Sequence, residues 1–320
     1  MKKALMLILS LTLVFGLMIS VENTEEAQAQ EKYDVAYIAR AQSDSFAAWL
    51  ANSIEEEAEN YENIELEIFD GQADSERQNS LIENAIVNQF DAVIIQPHDV
   101  EAQKPYAEQV ITANVPLITT NPRIEDLEGS SSVDADPYKQ AEVVAEKAVE
   151  EVPEDAKVVV LEGPSGNLHA TERRVAWDEV FFDERSDVEI VGEQIANWNK
   201  SEAMNYMEDW VQSNDSIDAI ISMNDNMAAG ALEVVKDDEE FEDIQAYGVD
   251  GTAEALTLIE EGKMTATCFQ NAYELGEKNL EVVDKLLEGE EEIHTDIDTP
   301  LITRDNVDEY MEVHEEAGNL

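Results

Sequence analysis

Two strand-like stretches of this chain end in side chains suited to recognising hydroxyl groups. Residues 219–222 (Ala-Ile-Ile-Ser) make a short apolar run of the kind that forms a buried strand, and Asn224-Asp225-Asn226 follows it after Met223. Residues 244–249 (Ile-Gln-Ala-Tyr-Gly-Val) repeat the pattern and run into Asp250-Gly251-Thr252. Amides and carboxylates are short, stiff donors and acceptors. At the C-terminal ends of parallel strands they stand where open α/β sheets take their ligands. Asn and Asp are also favoured helix caps. One such site alone reads as a cap; two in series put the ligand reading on an equal footing.

Catalytic chemistry finds less support. The histidines His98, His169, His294 and His314 have no metal-ligand spacing. Neither a nucleophile elbow nor a phosphate-binding Walker loop occurs. No cofactor and no metal are implied. Asp44 and Asp250 are the candidates for a glycosidase-type pair.

Polar groups at strand ends need a scaffold that gathers those ends, and the chain supplies one. From Tyr33 it alternates strand and helix, with strands at 34–39, 64–69, 91–95 and 116–119 and helices at 46–59, 75–88 and 102–113. Residues 123–136 are polar, contain Ser130-Ser131-Ser132, and read as a connection rather than a core element. A second series follows: helix 137–151, strand 157–161, helix 171–182, strand 188–195 and helix 201–212. The two strands described first come next, separated by helix 227–235, and then helix 252–261, strand 265–269 and helix 275–287. Such alternation implies parallel sheets covered by helices. Two series in 320 residues imply two similar lobes.

The order Met223-Asn224-Asp225, Met227-Ala228, Gly230-Ala231 and then Tyr247-Gly248-Val249-Asp250-Gly251-Thr252 resembles the periplasmic sugar-binding proteins of ABC importers. Among these it is most similar to the ribose, galactose and inositol binders, and the resemblance runs from about Tyr33 to the C-terminus. It implies the type I periplasmic binding protein fold, an α/β protein of two Rossmann-like lobes, each a parallel sheet flanked by helices, joined by a three-segment hinge. By that analogy the crossings fall near residues 134–136, 270–272 and 298–301. The N-terminal lobe is then 32–135 plus 271–299, and the C-terminal lobe 136–270 plus 300–320.

The resemblance also implies roles for single residues. Asp44 and Phe46 match the acidic–aromatic pair that follows the first strand of galactose-type binders, and Asn121 stands where the family places Asp or Asn after strand four. Arg173 matches the arginine that opens the helix after the glycine loop, and Trp198 a stacking aromatic. Asn224 and Asp250 are the strand-end pair, and Gln270 matches a hinge amide. Planar groups of this kind bridge neighbouring hydroxyls, and aromatic rings cover the C–H faces of a sugar. Arg40, Gln96, Asn167, His169 and Lys200 are secondary candidates; Asn167 and His169 differ in type from the contacts of galactose-type relatives, which leaves the sugar open. Each residue also has a structural reading: Phe46 and Trp198 as core, Asp44 and Asn121 as caps, Arg173 as partner of a surface acid. Residues 197–203, 268–272 and 300–306 look most like inositol binders. The expectation is a non-enzymatic receptor that delivers one cyclic polyol or monosaccharide to a membrane permease. Inositol is the first choice, with ribose, xylose or galactose as alternatives; a sugar-sensing receptor for chemotaxis or signalling is a further one.

Composition narrows the partners. Nineteen basic residues against seventy-four acidic ones leave a net charge of −55, the opposite of the positive footprint that nucleic acid requires. Sugar-responsive repressors share this fold but begin with a DNA-binding helix-turn-helix. Here that end carries Lys2-Lys3, an apolar run over residues 4–19 and Ala27-Gln28-Ala29, the pattern of a secretory signal at residues 1–29. The run is short for a membrane span, so the expectation is a monomer exported to the periplasm or the cell exterior. Cys268, the only cysteine, lies far from the signal, which leaves no intramolecular disulfide and no lipid-anchor cysteine. Acidic runs at 55–57, 237–240 and 288–292 match no EF-hand and read as solvated faces. Spread this evenly they suggest a surface adapted to high salt, where screening removes self-repulsion, with an alkaline habitat as the alternative.

Overall fold

The computed structural model describes residues 32–320, so the signal expected at residues 1–29 lies outside the described residues. The first series is β1 (Tyr33–Ala39), α1 (Ser45–Ala58), β2 (Ile64–Asp70), α2 (Ser75–Val87), β3 (Ala92–Ile95), α3 (Val100–Thr112), β4 (Leu117–Thr120) and β5 (Ser131–Ala135). The second begins with α4 (Pro137–Glu151), β6 (Lys157–Glu162), α5 (Leu168–Trp177), β7 (Glu189–Ile195) and α6 (Lys200–Ser213). It goes on through β8 (Ala219–Ser222), α7 (Asp225–Val235), β9 (Gln245–Asp250), α8 (Ala253–Glu260) and β10 (Ala266–Phe269). The chain ends with α9 (Ala272–Leu287), β11 (His294–Ile297), β12 (Leu301–Thr303) and α10 (Val307–Glu316).

These strands build two six-stranded sheets, β11-β5-β4-β3-β1-β2 and β12-β10-β9-β8-β6-β7. The two orders are the same, so β4 corresponds to β9 and β3 to β8. The chain passes between the sheets three times, after β5, after β10 and after β11. Every pairing is parallel except that of β12 with β10. That exception departs from the all-parallel expectation. Strand β11 brings the chain to the C-terminal edge of its sheet, and the strand that continues into the second sheet enters from the same edge and runs the opposite way.

Strand β5 lies inside residues 123–136, which the sequence presents as a connection, and all five of its residues are buried. Its serines hide the strand pattern because their hydroxyls are consumed locally. Ser131 Oγ accepts from Ile293 N at 2.9 Å, and Ser132 Oγ bonds His294 Nδ1 at 2.8 Å. The helix expected at 171–182 starts at Leu168, capped by Asn167, and its last turn, Asp178–Phe182, is π-helical.

Apolar faces close each lobe. In the first, α1 and α9 bury Phe46, Leu50, Ile54, Leu275 and Leu280 on one side of the sheet, while α2 and α3 bury Ile82, Ala107 and Val110 on the other. The second lobe has one continuous core around Trp177, which meets Phe181 and Tyr247 edge to face. Each large buried side chain is worth ~1.5–3 kcal/mol. Helices start just beyond strand ends on a repeated device. Asp44, Asp74, Asp99, Asp136, Asn167, Asn199, Asn224 and Asn271 each accept a backbone N–H of the first turn, and Thr252 does so for α8. Each such cap contributes about 1 kcal/mol.

Candidate functional site

The strand ends of both lobes converge on a small, narrow cavity. Arg40, Phe46 and Asn121 line it from the first lobe, and His169, Arg173, Trp198, Asn224, Asp250 and Gln270 from the second. All the leading candidates except Asp44 therefore meet there, together with Arg40 and His169 from the secondary group. Gln96, Asn167 and Lys200 are not part of the wall.

The first-lobe wall is built from the end of β1, the start of α1 and the end of β4. Arg40 directly follows β1, and its Nη2 lies 3.0 Å from Asp44 Oδ2. Asp44 Oδ1 accepts Ala47 N at 2.8 Å and so caps α1. Asp44 is thus a cap and the counter-ion of Arg40, placed behind the wall. Gln96 stands behind it too and orients two of its members. Its Oε1 accepts Arg40 N at 3.0 Å, and its Nε2 donates to Asn121 Oδ1 at 3.1 Å. Asn121 has a positive φ of 42°.

The second-lobe wall is organised by Arg173. Its Nε and Nη2 donate to Gln140 Oε1 at 3.0 and 2.8 Å, Nη2 also to Gln270 Oε1 at 2.8 Å, and Nη1 to Met223 O at 2.7 Å. Gln140 Nε2 donates to the same Gln270 oxygen. Asp250 Oδ1 lies 3.8 Å from Arg173 Nη2. Burial pushes the Asp250 carboxyl well above the ordinary carboxylate range, against the pull of Arg173. His169 joins the lobes: its Nε2 is 3.0 Å from Asp134 Oδ1 and its Nδ1 is 3.3 Å from Arg173 Nη2. Burial holds this imidazole below its usual pKa. The neutral tautomer with the proton on Nε2 suits both neighbours, donating to Asp134 and accepting from Arg173.

Trp198 reaches the cavity because Gly163 makes room; a Cβ there would sit 2.1 Å from the indole. The Arg173 and Arg40 guanidinium carbons lie 5.6 and 5.9 Å from the indole centroid, within cation–π range. Asn224 lines the cavity while its Oδ1 caps α7 through Met227 N at 3.0 Å. Asp250 has a φ of 127° and caps nothing; Thr252 Oγ1 is the cap of α8, accepting Ala255 N at 3.3 Å. Asn167 caps α5 and donates across the lobes to His98 O at 3.3 Å, and half-exposed Lys200 pairs with Glu254.

Sequence reasoning missed Gln140 and Asp225. Gln140 betrays itself only as a polar residue on the buried stripe of α4 that continues through Val144 and Ala148. Asp225 accepts Thr267 Oγ1 at 2.6 Å and Thr252 N at 2.9 Å. Burial pushes its carboxyl up to about 6 in spite of those bonds. Its one signal is its place inside Asn224-Asp225-Asn226.

Charge in the cavity is close to balanced, with Arg40 facing Asp44 and Arg173 facing Asp250. Hydrogen bonding is not. Arg40 Nε, Asn121 Nδ2 and Trp198 Nε1 are buried donors, and Asp250 Oδ2 a buried acceptor, without a hydrogen-bond partner among the described residues. Leaving such a group unpaired costs ~1–3 kcal/mol.

Residues 35–291 match the family model described as the periplasmic binding protein domain. The ribose import binding protein of Bacillus subtilis is 29% identical over 306 residues, covering 94% of this chain and 98% of that one. An ABC transporter solute binding protein from Bacillus halodurans, solved with bound myo-inositol, superposes with a TM-score of 0.83 at 26% identity, over 89% of this chain and 99% of that one. The Caulobacter myo-inositol binding protein, bound to myo-inositol, gives 0.82 at 27% identity, over 88% and 97%.

Proposed function

The chain belongs to the periplasmic binding protein family, and from that membership we propose that it is the solute receptor of an ABC importer, taking one neutral cyclic polyol or monosaccharide between its lobes. The observation that carries this reading is the mixture of buried, unpartnered groups around the cavity, donors on Arg40, Asn121 and Trp198 and an acceptor on Asp250. A hydroxyl both donates and accepts, so a ring of hydroxyls meets both kinds at once. Balanced guanidinium and carboxylate charges favour a neutral solute over an ionic one. Phe46 and Trp198 offer apolar surface to its C–H faces. Inositol is the first choice, supported by the two similar proteins that hold myo-inositol, and a pentose such as ribose is the second.

In this reading the lobes, 32–135 with 271–299 and 136–270 with 300–320, close on the solute. The exported monomer then presents it to a membrane permease. Catalysis has no place in it. Asp250 is the one carboxylate in the cavity wall among the described residues, because Asp44 is turned to α1 and Arg40.

Calorimetry of the mature protein against inositols, pentoses and hexoses tests the proposal. One site per chain is expected for a neutral polyol, and a ligand at a hundred times its Kd should add about 2.7 kcal/mol of stability. Tight binding of an amino acid or peptide with no response to any polyol would sink it. The charge of −55 belongs to the same proposal as an adaptation to salt. The unfolding temperature should climb as potassium chloride is raised to molar levels, because unscreened like charges repel most in the compact state. A flat response would leave alkaline adaptation as the account of the acidity.

A further inference from the structure

His314, on the C-terminal helix α10, is 2% exposed and lies outside the cavity wall. Its Nε2 lies 2.9 Å from the carbonyl oxygen of Gly251, the residue after Asp250. Its Nδ1 faces the Tyr273 hydroxyl at 3.3 Å. A carbonyl only accepts, so Nε2 carries the proton, and Nδ1 takes the Tyr273 O–H. The imidazole ring packs 4.8 Å from the Trp49 ring and 5.8 Å from that of Tyr273. Trp49 is on α1 and Tyr273 on α9, the two helices that cover one face of the first-lobe sheet.

The corner that His314 grips carries Asp250. Asp250 and Gly251 both have positive φ, 127° and 69°, in a region that costs a non-glycine residue free energy unless its surroundings impose it. Beside the Gln270 N–H that donates to the Asp250 carbonyl at 3.0 Å, three bonds to the next two residues impose it here. Thr252 N donates to Asp225, Gly251 N to Thr267 Oγ1 at 3.3 Å, and the Gly251 carbonyl accepts from His314. Asp225 and Thr267 belong to the second lobe, as does the corner. His314 alone of the three is packed against helices of the first lobe.

We propose that His314 is a positioning residue for the solute site: through Gly251 it aims the Asp250 carboxylate, and through Trp49 and Tyr273 it ties that aim to the docking of the first lobe. The proposal deepens the polyol-receptor reading and rests on it for its affinity arm. The cavity wall then has a remote control point in a helix that touches no solute.

Four variants test it, His314→Leu, His314→Gln, Asp250→Asn and His314→Leu combined with Asp250→Asn. Amide hydrogen exchange of the protein without solute is the first readout. Exchange at Gly251 and Thr252 should quicken several-fold in His314→Leu, with Val93 and Ile94 of the first lobe unchanged, and His314→Gln should restore it because its amide N–H reaches the same carbonyl. Unchanged exchange at the corner, or an equal rise at Val93 and Ile94, would overturn the proposal. The second readout is Kd for myo-inositol and ribose. His314→Leu should weaken binding about five- to tenfold in the wild-type background and less than about twofold beside Asp250→Asn, since residues acting through one another are not additive. Equal losses in both backgrounds would also overturn it. A wild-type chain that binds no polyol would end the polyol reading, and the exchange arm would still decide the role of His314.

Discussion

Asn121 and Asp250 occupy the same place in the two lobes and are held by opposite means. One follows β4 and the other ends β9, strands that match in sheet order, and both have positive φ. Such backbone costs ~1–3 kcal/mol at a non-glycine residue and persists only where its surroundings dictate it. Around Asn121 the surroundings act on the side chain, through Gln96. Around Asp250 they act on the backbone of the next two residues, through Thr267, Asp225 and His314, while the carboxylate itself has only Arg173 at 3.8 Å. One corner ends up presenting a spare donor and the other a spare acceptor. A duplicated scaffold thus reaches complementary chemistry by changing what pins one residue per lobe, with the strand order untouched.

Removing the hub of the second wall breaks the comparison most severely. Arg173→Ala strips the partner from Gln140, Gln270, the Met223 carbonyl and Asp250. Breaking a buried pair in this way costs ~3–5 kcal/mol. Thermal unfolding should show that loss and calorimetry no measurable polyol binding. A variant of wild-type stability would show that the wall is not organised around Arg173.

The pH response of Asp225 comes next. Its folded pKa of about 6 exceeds the ordinary carboxylate value, so the folded state holds this proton more tightly than the unfolded chain does. The stabilising contribution is complete below about pH 4 and is lost as pH rises through about 6. The gap of roughly two units corresponds to ~3 kcal/mol. Relative to wild type, Asp225→Asn should therefore gain about that much between pH 4 and pH 7. Taking the difference between the two proteins cancels the opposite trend of buried, neutral His169 and His314, which resist protonation as pH falls. Parallel urea melts at each pH measure it, and a constant difference would mean that Asp225 is ionised throughout.

Substituting the corners themselves sharpens the comparison. Asp250→Ala should leave stability without solute unchanged or raised, because Thr252 is the cap, the cost of burying the carboxyl is gone, and Arg173 keeps its bonds to Gln140, Gln270 and the Met223 carbonyl. Affinity should fall about ten- to a hundredfold, the ~1.5–3 kcal/mol of a charged hydrogen bond. A fall in stability with Kd within about twofold would make Asp250 structural. Asn121→Ala removes a neutral donor, for which ~0.5–1.5 kcal/mol, or about two- to tenfold in Kd, is expected. An effect of Asn121→Ala on Kd as large as that of Asp250→Ala would reverse the ranking of the corners.

The strand and helix order was largely legible, because Ile-rich runs such as 92–95 and 219–222 alternate with capped, amphipathic helices. Strand β5 was not, because serine hydroxyls bonded within the strand pair carry no hydrophobic period. The gathering of Phe46, Asn121, Arg173, Trp198, Asn224, Asp250 and Gln270 at one cavity was legible from family-like motifs. What each would do was not, for one physical reason: Asx side chains at strand ends serve equally as caps and as ligand groups. Asp44 and Asn167 became caps, Asn224 caps while lining the cavity, and Asn121 and Asp250 stayed free of that duty. The difference lies in backbone φ and in partners distant along the chain, such as Gln96 and Thr267, which a local pattern does not show.

The placing of Trp198 has an optical consequence. Of the four tryptophans, Trp177 is sealed in the second-lobe core, Trp210 is buried beside Tyr206, and Trp49 packs among aromatics at the lobe contact. Trp198 alone of them lines the cavity, with two guanidiniums near its ring and its N–H unpartnered. The polarity around a single indole thus changes when the cavity fills. Emission excited through tryptophan should report occupancy directly, so that the protein carries its own fluorescent gauge of solute concentration with no dye attached.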